Sequence, residues 1–179
     1  MTVLFRAVLG FLMLKLAVLL ANLAWFPVLR KGHSRRHDSP AVSLLIPMRD
    51  EAATLADHLP ALLGQSGVSE VIVLDDRSGD CSAALAGSML AGSPTARLVS
   101  GTPPPPGWVG KNWACAQLAA EASGELLVFC DADVLLAPHA VEAVVGAMAE
   151  QRADVFSVFP RQLTGSLGEA LLTPLIDDV

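Results

Sequence analysis

The stretch LLVFCDADVLL, Leu126–Leu136, runs five apolar residues in a row, stops at two carboxylates spaced i, i+2, and then turns apolar again. The apolar run has the length of a buried strand. In an extended segment, side chains two apart share a face, so the strand reading sends Asp131 and Asp133 into one site. Two anions that close together require a cation.

Upstream and downstream of this stretch, strand-like and helix-like pieces alternate. AVSLLIP reads as a buried strand, Glu51–Leu63 as a helix, EVIVL as a strand, Cys81–Leu90 as a helix and ARLVS as a third strand. After the loop GTPPPPGWVG come a helix through Ala122, the strand ELLVFC, a helix opened by Pro138 in its first turn, and a strand DVFSVF. Such alternation predicts an α/β fold with a mostly parallel, doubly wound sheet whose ligands bind beyond the carboxyl ends of the strands. The acids lie there.

The head of the chain is different in kind. About 23 mostly apolar residues, 7–29, are enough to cross a hydrocarbon core of about 30 Å. Lys15 opposes insertion by about 3 kcal/mol, while the Leu, Phe and Val residues of the span together return roughly 4 to 8 kcal/mol. Insertion wins. Trp25 and Phe26 stand where an interfacial belt would, and Arg30, Lys31, Arg35 and Arg36 follow at once. The positive-inside rule then leaves the body facing the cytoplasm from the inner (cytoplasmic) membrane. The expected organisation is a transmembrane anchor with its basic flank, 1–37, and a body, 38–179.

Charge divides at the same boundary. All 18 acids lie in the body, and residues 1–37 carry none of them. An acidic body argues against nucleic acid, whose phosphates call for clustered Lys and Arg. Metal ions carrying phosphates suit it better. Cys81, Cys115 and Cys130 are odd in number and lack CxxC spacing, so they read as small core residues and not as a disulfide framework or zinc site.

Three strands end in polar clusters: PMRDE (47–51), DDRSGD (75–80) and DAD (131–133). A carboxylate at the tip of the second strand, Asp75 or Asp76, can accept the imide N–H of a uracil ring. Asp131 and Asp133 offer hard oxygens to a divalent ion, Mg2+ or Mn2+, that bridges two phosphates. Lys111 lies just before a helix and can neutralise a phosphate oxygen near that helix N-terminus. Glu51 and Asp80 also stand at helix starts, where an acid caps free N–H groups with or without a ligand. His58 and His139 are isolated and receive no role.

The order VSLLIPMRDE, VIVLDDRSGD, GWVGKNWACAQLA, LLVFCDADVLLAP resembles the successive motifs of inverting family 2 glycosyltransferases, over roughly residues 41–159. The resemblance implies a Rossmann-like GT-A nucleotide-diphospho-sugar-binding fold behind the N-terminal transmembrane helix. PPPPGWVGKNWACAQ and FSVFPRQLTGSLGEALLTPLIDD further resemble the membrane-bound subgroup associated with carotenoid and hopanoid glycosylation. By position, the family implies that Pro47 and Glu51 shape the nucleotide pocket, that Asp75 or Asp76 reads the base, and that Lys111 lies near the diphosphate. It implies further that Asp131 lies near ribose and metal and that Asp133 is the principal metal ligand. The expected partners are a nucleotide sugar, UDP-linked, and a lipid or isoprenoid acceptor.

The family pattern also has a second half that supplies the acceptor site and an acidic general base, and Asp177 and Asp178 come too early to match it. The base is therefore expected beyond Val179, with the chain as an N-terminal part. A catalytically silent, membrane-attached nucleotide-sugar-binding domain is the alternative. A phosphoacceptor receiver and a dehalogenase-like phosphatase share single features with this chain. In the first, no strand-helix unit precedes the acidic pair, and in the second D-x-D opens the domain; both differ from the order here.

Overall fold

The computed structural model describes residues 2–25, 29, 40–161, 163–166 and 168. The chain divides into two compact units, Met1–Arg30 and Lys31–Val179.

The first unit is one helix, α1 (Thr2–Trp25), about 36 Å long at 1.5 Å per residue. Leu, Val and Ala follow one another without a proline until Pro27, which favours an unbroken helix. Val3–Asn22 is long and apolar enough to cross a membrane, and none of it is buried in protein. Apolar side chains on every side leave no polar face to present to water. The Lys15 ammonium lies 5.8 Å from the ring centre of Phe11, one turn earlier. Phe26, Arg30, Lys31, Arg35 and Arg36 lie outside the described residues.

The second unit is built on a four-stranded parallel sheet, β1 (Val42–Met48), β2 (Glu70–Asp75), β3 (Ala96–Ser100) and β4 (Leu126–Phe129), in the order β3-β2-β1-β4. Helices α2 (Ala52–Leu63), α3 (Ser82–Leu90), α4 (Gly110–Glu121) and α5 (Ala140–Gln151) follow the strands in turn. The apolar runs of β1 and β2 reflect burial on both faces. Leu44, Ile46, Val71 and Val73 pack with Leu55, Leu59 and Leu62 of α2 and with Ala86 and Leu90 of α3. The alternate residues Leu45, Ile72 and Leu74 meet Ala114 and Leu118 of α4 on the opposite face.

Handedness explains this division. The chain steps outward from β1 to β3, then returns past β1 to β4, and a right-handed crossover running the other way must cover the other face. The reversal leaves a crevice between the carboxyl ends of β1 and β4. The opposite end of the sheet is tied by Glu70. Its carboxylate accepts hydrogen bonds from Ser43 Oγ (2.7 Å), Ser123 N (2.6 Å) and Ser123 Oγ (2.7 Å), and pairs with Arg97 Nη1 (2.7 Å). One carboxylate thus joins β1, β2, β3 and the lead-in to β4.

Burial by itself would raise the Glu70 carboxyl, but hydrogen bonds from the Ser123 backbone, Ser43, the Ser123 hydroxyl and Arg97 outweigh it and hold the group at about 2 instead of 4.5. Because the folded value is the lower one, its stabilisation is complete above pH 4.5 and is lost as pH falls towards about 2. Urea unfolding followed by tryptophan fluorescence should show a loss of about 1 to 3 kcal/mol through that window. Glu70→Gln should flatten the profile there, and an unchanged slope in the variant would remove Glu70 as its source.

The structure departs from the sequence reading at three places. Residues 154–159, DVFSVF, form no strand, and Val155, Val158 and Phe159 are exposed. A strand needs a neighbour to complete its hydrogen-bond ladder, and among the described residues this segment has none. The fourth strand stops at Phe129, so Cys130 and the acids lie beyond it. The fifth helix begins at Ala140, because His139 adopts a left-handed conformation (φ 63°) that separates Pro138 from it.

Candidate functional site

The crevice between β1 and β4 is a cleft of about 260 Å³, with walls from three strand ends and one helix start. Pro47, Arg49 and Glu51 come from β1 and its loop, Asp76 from the end of β2, Gly110 and Lys111 from α4, and Asp131 and Asp133 from the turn after β4. The sequence-derived candidates Pro47, Glu51, Asp76, Lys111, Asp131 and Asp133 thus meet in one place.

Asp75 and Asp76 part company. Asp75 Oδ1 accepts the Ser78 N–H at 3.3 Å, the bond of a turn residue, and Asp75 does not line the cleft. Asp76 is only 5% exposed and does line it. Its buried charge is balanced by Arg77 Nε at 3.4 Å and Arg49 Nη1 at 3.8 Å. Arg49 was not singled out by sequence reasoning. An arginine placed between a strand-ending proline and two acids, opposite an acidic strand end, is the signal that could have found it.

The other polar residues of these loops hold the walls in place. Asp50 N–H donates to Ser78 Oγ (3.0 Å), Gly79 N–H to Asp50 Oδ1 (2.6 Å), Glu51 N–H to Ser82 Oγ (2.8 Å) and Ala52 N–H to Asp80 Oδ2 (3.2 Å). Asp50 and Arg77 adopt left-handed backbone conformations (φ 55° and 58°), a cost sustained by this stitching. Asp80 therefore serves the starts of both α2 and α3, and bonds from Ser82 hold its carboxyl below the ordinary range. Glu51 does not cap α2. Its carboxylate accepts Thr54 Oγ1 at 2.9 Å and remains beside the cleft.

Asp131 and Asp133 reach the cleft by a route other than strand alternation. Val134 N–H donates to the Asp131 carbonyl at 3.2 Å, closing a turn in which both acids stand exposed on the cleft wall. Lys111 Nζ lies 2.8 Å from Asp131 Oδ2, and that bond raises the ammonium above its ordinary value against the opposing effect of burial. Four carboxylates against Arg49 and Lys111 give the lining a formal charge of −2.

Burial raises the Cys115 thiol and pushes Cys130 up to about 11, so neither is a thiolate near neutral pH. Among the described residues no group of three or more His, Cys, Asp or Glu converges as a metal cage. Two hard carboxylates in an open acidic cleft are instead the kind of oxygen donors that suit Mg2+ or Mn2+. Asp177 and Asp178 lie outside the described residues. His139 accepts no catalytic role from its surroundings: Ser66 Oγ and Glu142 Oε2 both meet the same ring nitrogen, Nδ1, so no proton relay passes across the ring.

A parallel sheet with this order, a switch-point cleft and acids beyond the fourth strand define a GT-A-type nucleotide-binding fold. Structural comparison agrees. A mannosyltransferase from Pyrobaculum calidifontis, in complex with GDP-Man and Mn2+, superposes with a TM-score of 0.54 at 24% identity, covering 68% of this chain and 36% of its own. S. aureus TarS 1-349 in complex with UDP gives 0.52 at 19% identity, covering 71% and 39%.

Residues 43–170 match the profile of Glycosyl transferase family 2, and the chain belongs to that family. The 4,4'-diaponeurosporenoate glycosyltransferase of Staphylococcus haemolyticus is 36% identical over 115 residues, 63% of this chain and 29% of the relative. The chain spans about a third of the length of the relatives it matches.

Proposed function

We propose that this chain binds a nucleotide sugar, UDP-linked, in the switch-point cleft and serves an inverting glycosyl transfer to a lipid or isoprenoid acceptor at the cytoplasmic face of the inner membrane. The observation that carries the reading is the convergence of Asp76, Lys111, Asp131 and Asp133 on one cleft from two strand ends and the start of a helix. Its support from relatives is the family and the 4,4'-diaponeurosporenoate glycosyltransferase named above. The long apolar α1 supports the membrane site.

Each residue has a defined task in this reading. Asp76, held between two arginines, accepts the imide N–H of uracil, while Pro47 and Glu51 bound the nucleoside. Lys111 and the uncapped first turn of α4 face the diphosphate. Asp133, with Asp131, holds a divalent cation, which when bound neutralises charge on the departing diphosphate. Attack by the acceptor oxygen on the anomeric carbon forms the new glycosidic or ester bond as the bond from that carbon to the diphosphate oxygen breaks; UDP leaves, and the proton of a hydroxyl acceptor passes to a general base supplied from outside this cleft. Inversion follows from a single displacement.

The test is calorimetric titration of the full chain in detergent with UDP, UMP and GDP, each with and without Mn2+. UDP with Mn2+ should bind at least about tenfold tighter than either competitor, since UMP lacks one bridging phosphate and GDP misplaces the donor facing Asp76. Equal binding of all three would overturn the uracil and diphosphate assignments, and no binding would overturn the reading as a whole.

A further inference from the structure

Resting on that reading, we propose that Lys111 is the built-in counter-ion of Asp131 in the donor-free protein, and that it passes to the diphosphate as donor and metal enter. The cleft therefore accepts metal and nucleotide together and resists metal alone.

The geometry begins with the ion pair. Lys111 Nζ sits 2.8 Å from Asp131 Oδ2, across the gap between the start of α4 and the turn after β4. That carboxylate is one of the two that would hold the cation, so the ammonium stands beside a group the cation would use. A divalent ion arriving alone must either displace Lys111 into water or sit beside its positive charge. Both alternatives oppose binding.

A nucleoside diphosphate changes the balance. Its phosphate oxygens offer Lys111 a new anionic partner within the same cleft, and the ammonium is a compact charge on a flexible stem that can make the exchange. The side chains of Lys111 and Asp131 are 63% and 49% exposed, so neither is locked by packing. Once Lys111 has moved, both Asp131 and Asp133 face the cation. Metal and nucleotide then favour one another, and the coupling is reciprocal because both act on the same ion pair. Asp133 makes no direct ion pair among the described residues and meets the Lys111 charge only through space, which makes the two acids unequal: Asp131 is occupied until donor arrives and Asp133 is not.

The consequence is a pair of opposite effects from one substitution. Lys111→Ala should bind Mn2+ alone about fivefold or more tighter than the unmodified chain, because Asp131 is no longer occupied. In saturating Mn2+, the same variant should bind UDP about tenfold or more weaker, because a phosphate loses its cation. Lys111→Arg keeps the charge and should restore weak binding of Mn2+ alone.

Mn2+ binding is read by electron paramagnetic resonance of the free ion and UDP binding by calorimetry, both on the full chain in detergent. Unchanged or weaker Mn2+ binding in Lys111→Ala, alongside normal UDP binding in the unmodified chain, would overturn this inference and leave the donor-binding reading intact. Tighter Mn2+ binding in Lys111→Ala with no UDP binding by the unmodified chain would overturn the donor-binding reading and, with it, the transfer of Lys111 to a diphosphate.

Discussion

Asp133→Ala is expected to lower the affinity for UDP in the presence of Mn2+ by about 100-fold or more, while leaving urea stability close to that of the unmodified chain. The side chain is exposed on the wall of the cleft, so its removal leaves no buried cavity. What disappears, in the proposed reading, is one of the two carboxylates that the described residues offer to a cation in this cleft. Asp80→Ala is the contrast. It removes an acid of similar position in the sequence pattern, yet the bonds lost run to Ala52 and Ser82 and not to the cleft. Its effect on UDP affinity should stay within about threefold, with stability reduced instead. Comparable losses of affinity in the two variants, measured by calorimetry, would remove the distinction between ligand and cap.

The largest effect on folding is expected at Gly124. A Cβ there would lie 2.6 Å from Ser43 Oγ, 2.7 Å from Ser43 N and 2.9 Å from the Ala41 carbonyl oxygen. Two of these atoms are backbone at the head of β1, which is fixed by β2 on its other side. The methyl group can be accommodated only by prising β4 from β1 and breaking the 2.9 Å bond from Gly124 N–H to Ser43 Oγ. Gly124→Ala should cost about 3 kcal/mol or more, read as a lower urea midpoint. Gly87→Ala should do the reverse. Its Cβ meets only Leu98 Cδ2 at 3.8 Å, an ordinary contact, and the interior of α3 gains about 0.5 to 1 kcal/mol from replacing glycine. Equal midpoints for the two variants would show that the close approach at Gly124 is relieved by other means.

The strands at Val42 and Glu70 were legible because each holds an apolar run closed by a polar cluster, the mark of burial on two faces, while those at Ala96 and Leu126 are shorter and only half-buried and were read from their place in the alternation. Their parallel pairing followed from the helices between them. The DVFSVF segment carries the same mark without the structure. Its pattern specifies a face to bury but not a neighbour to pair with, and pairing is a tertiary fact. The choice between Asp75 and Asp76 was closed for the same reason: both end the strand, and only Arg49 and Gly110, distant in sequence, decide which one borders the cleft. Asp131 and Asp133 do line one cleft, but not by the geometry expected of them. A turn closed by Val134 gathers them, where strand periodicity was the expected cause. The knot around Glu70 left no signal, since Ser43, Arg97 and Ser123 are each unremarkable until the sheet assembles.

The strand order also imposes a timetable on synthesis. β1 pairs with β2 at Ser43↔Glu70, but its other edge waits for Leu126 to meet Val42. At ribosomal rates of about 5 to 20 residues per second, roughly 4 to 17 seconds separate the making of Val42 from the making of its last partner. During that interval the most deeply buried strand of the sheet has an unsatisfied edge, an invitation to any other extended chain nearby. The turn bearing Asp131 and Asp133 emerges after β4 itself, so the cleft proposed to bind the donor is assembled only after β1 has gained its second neighbour.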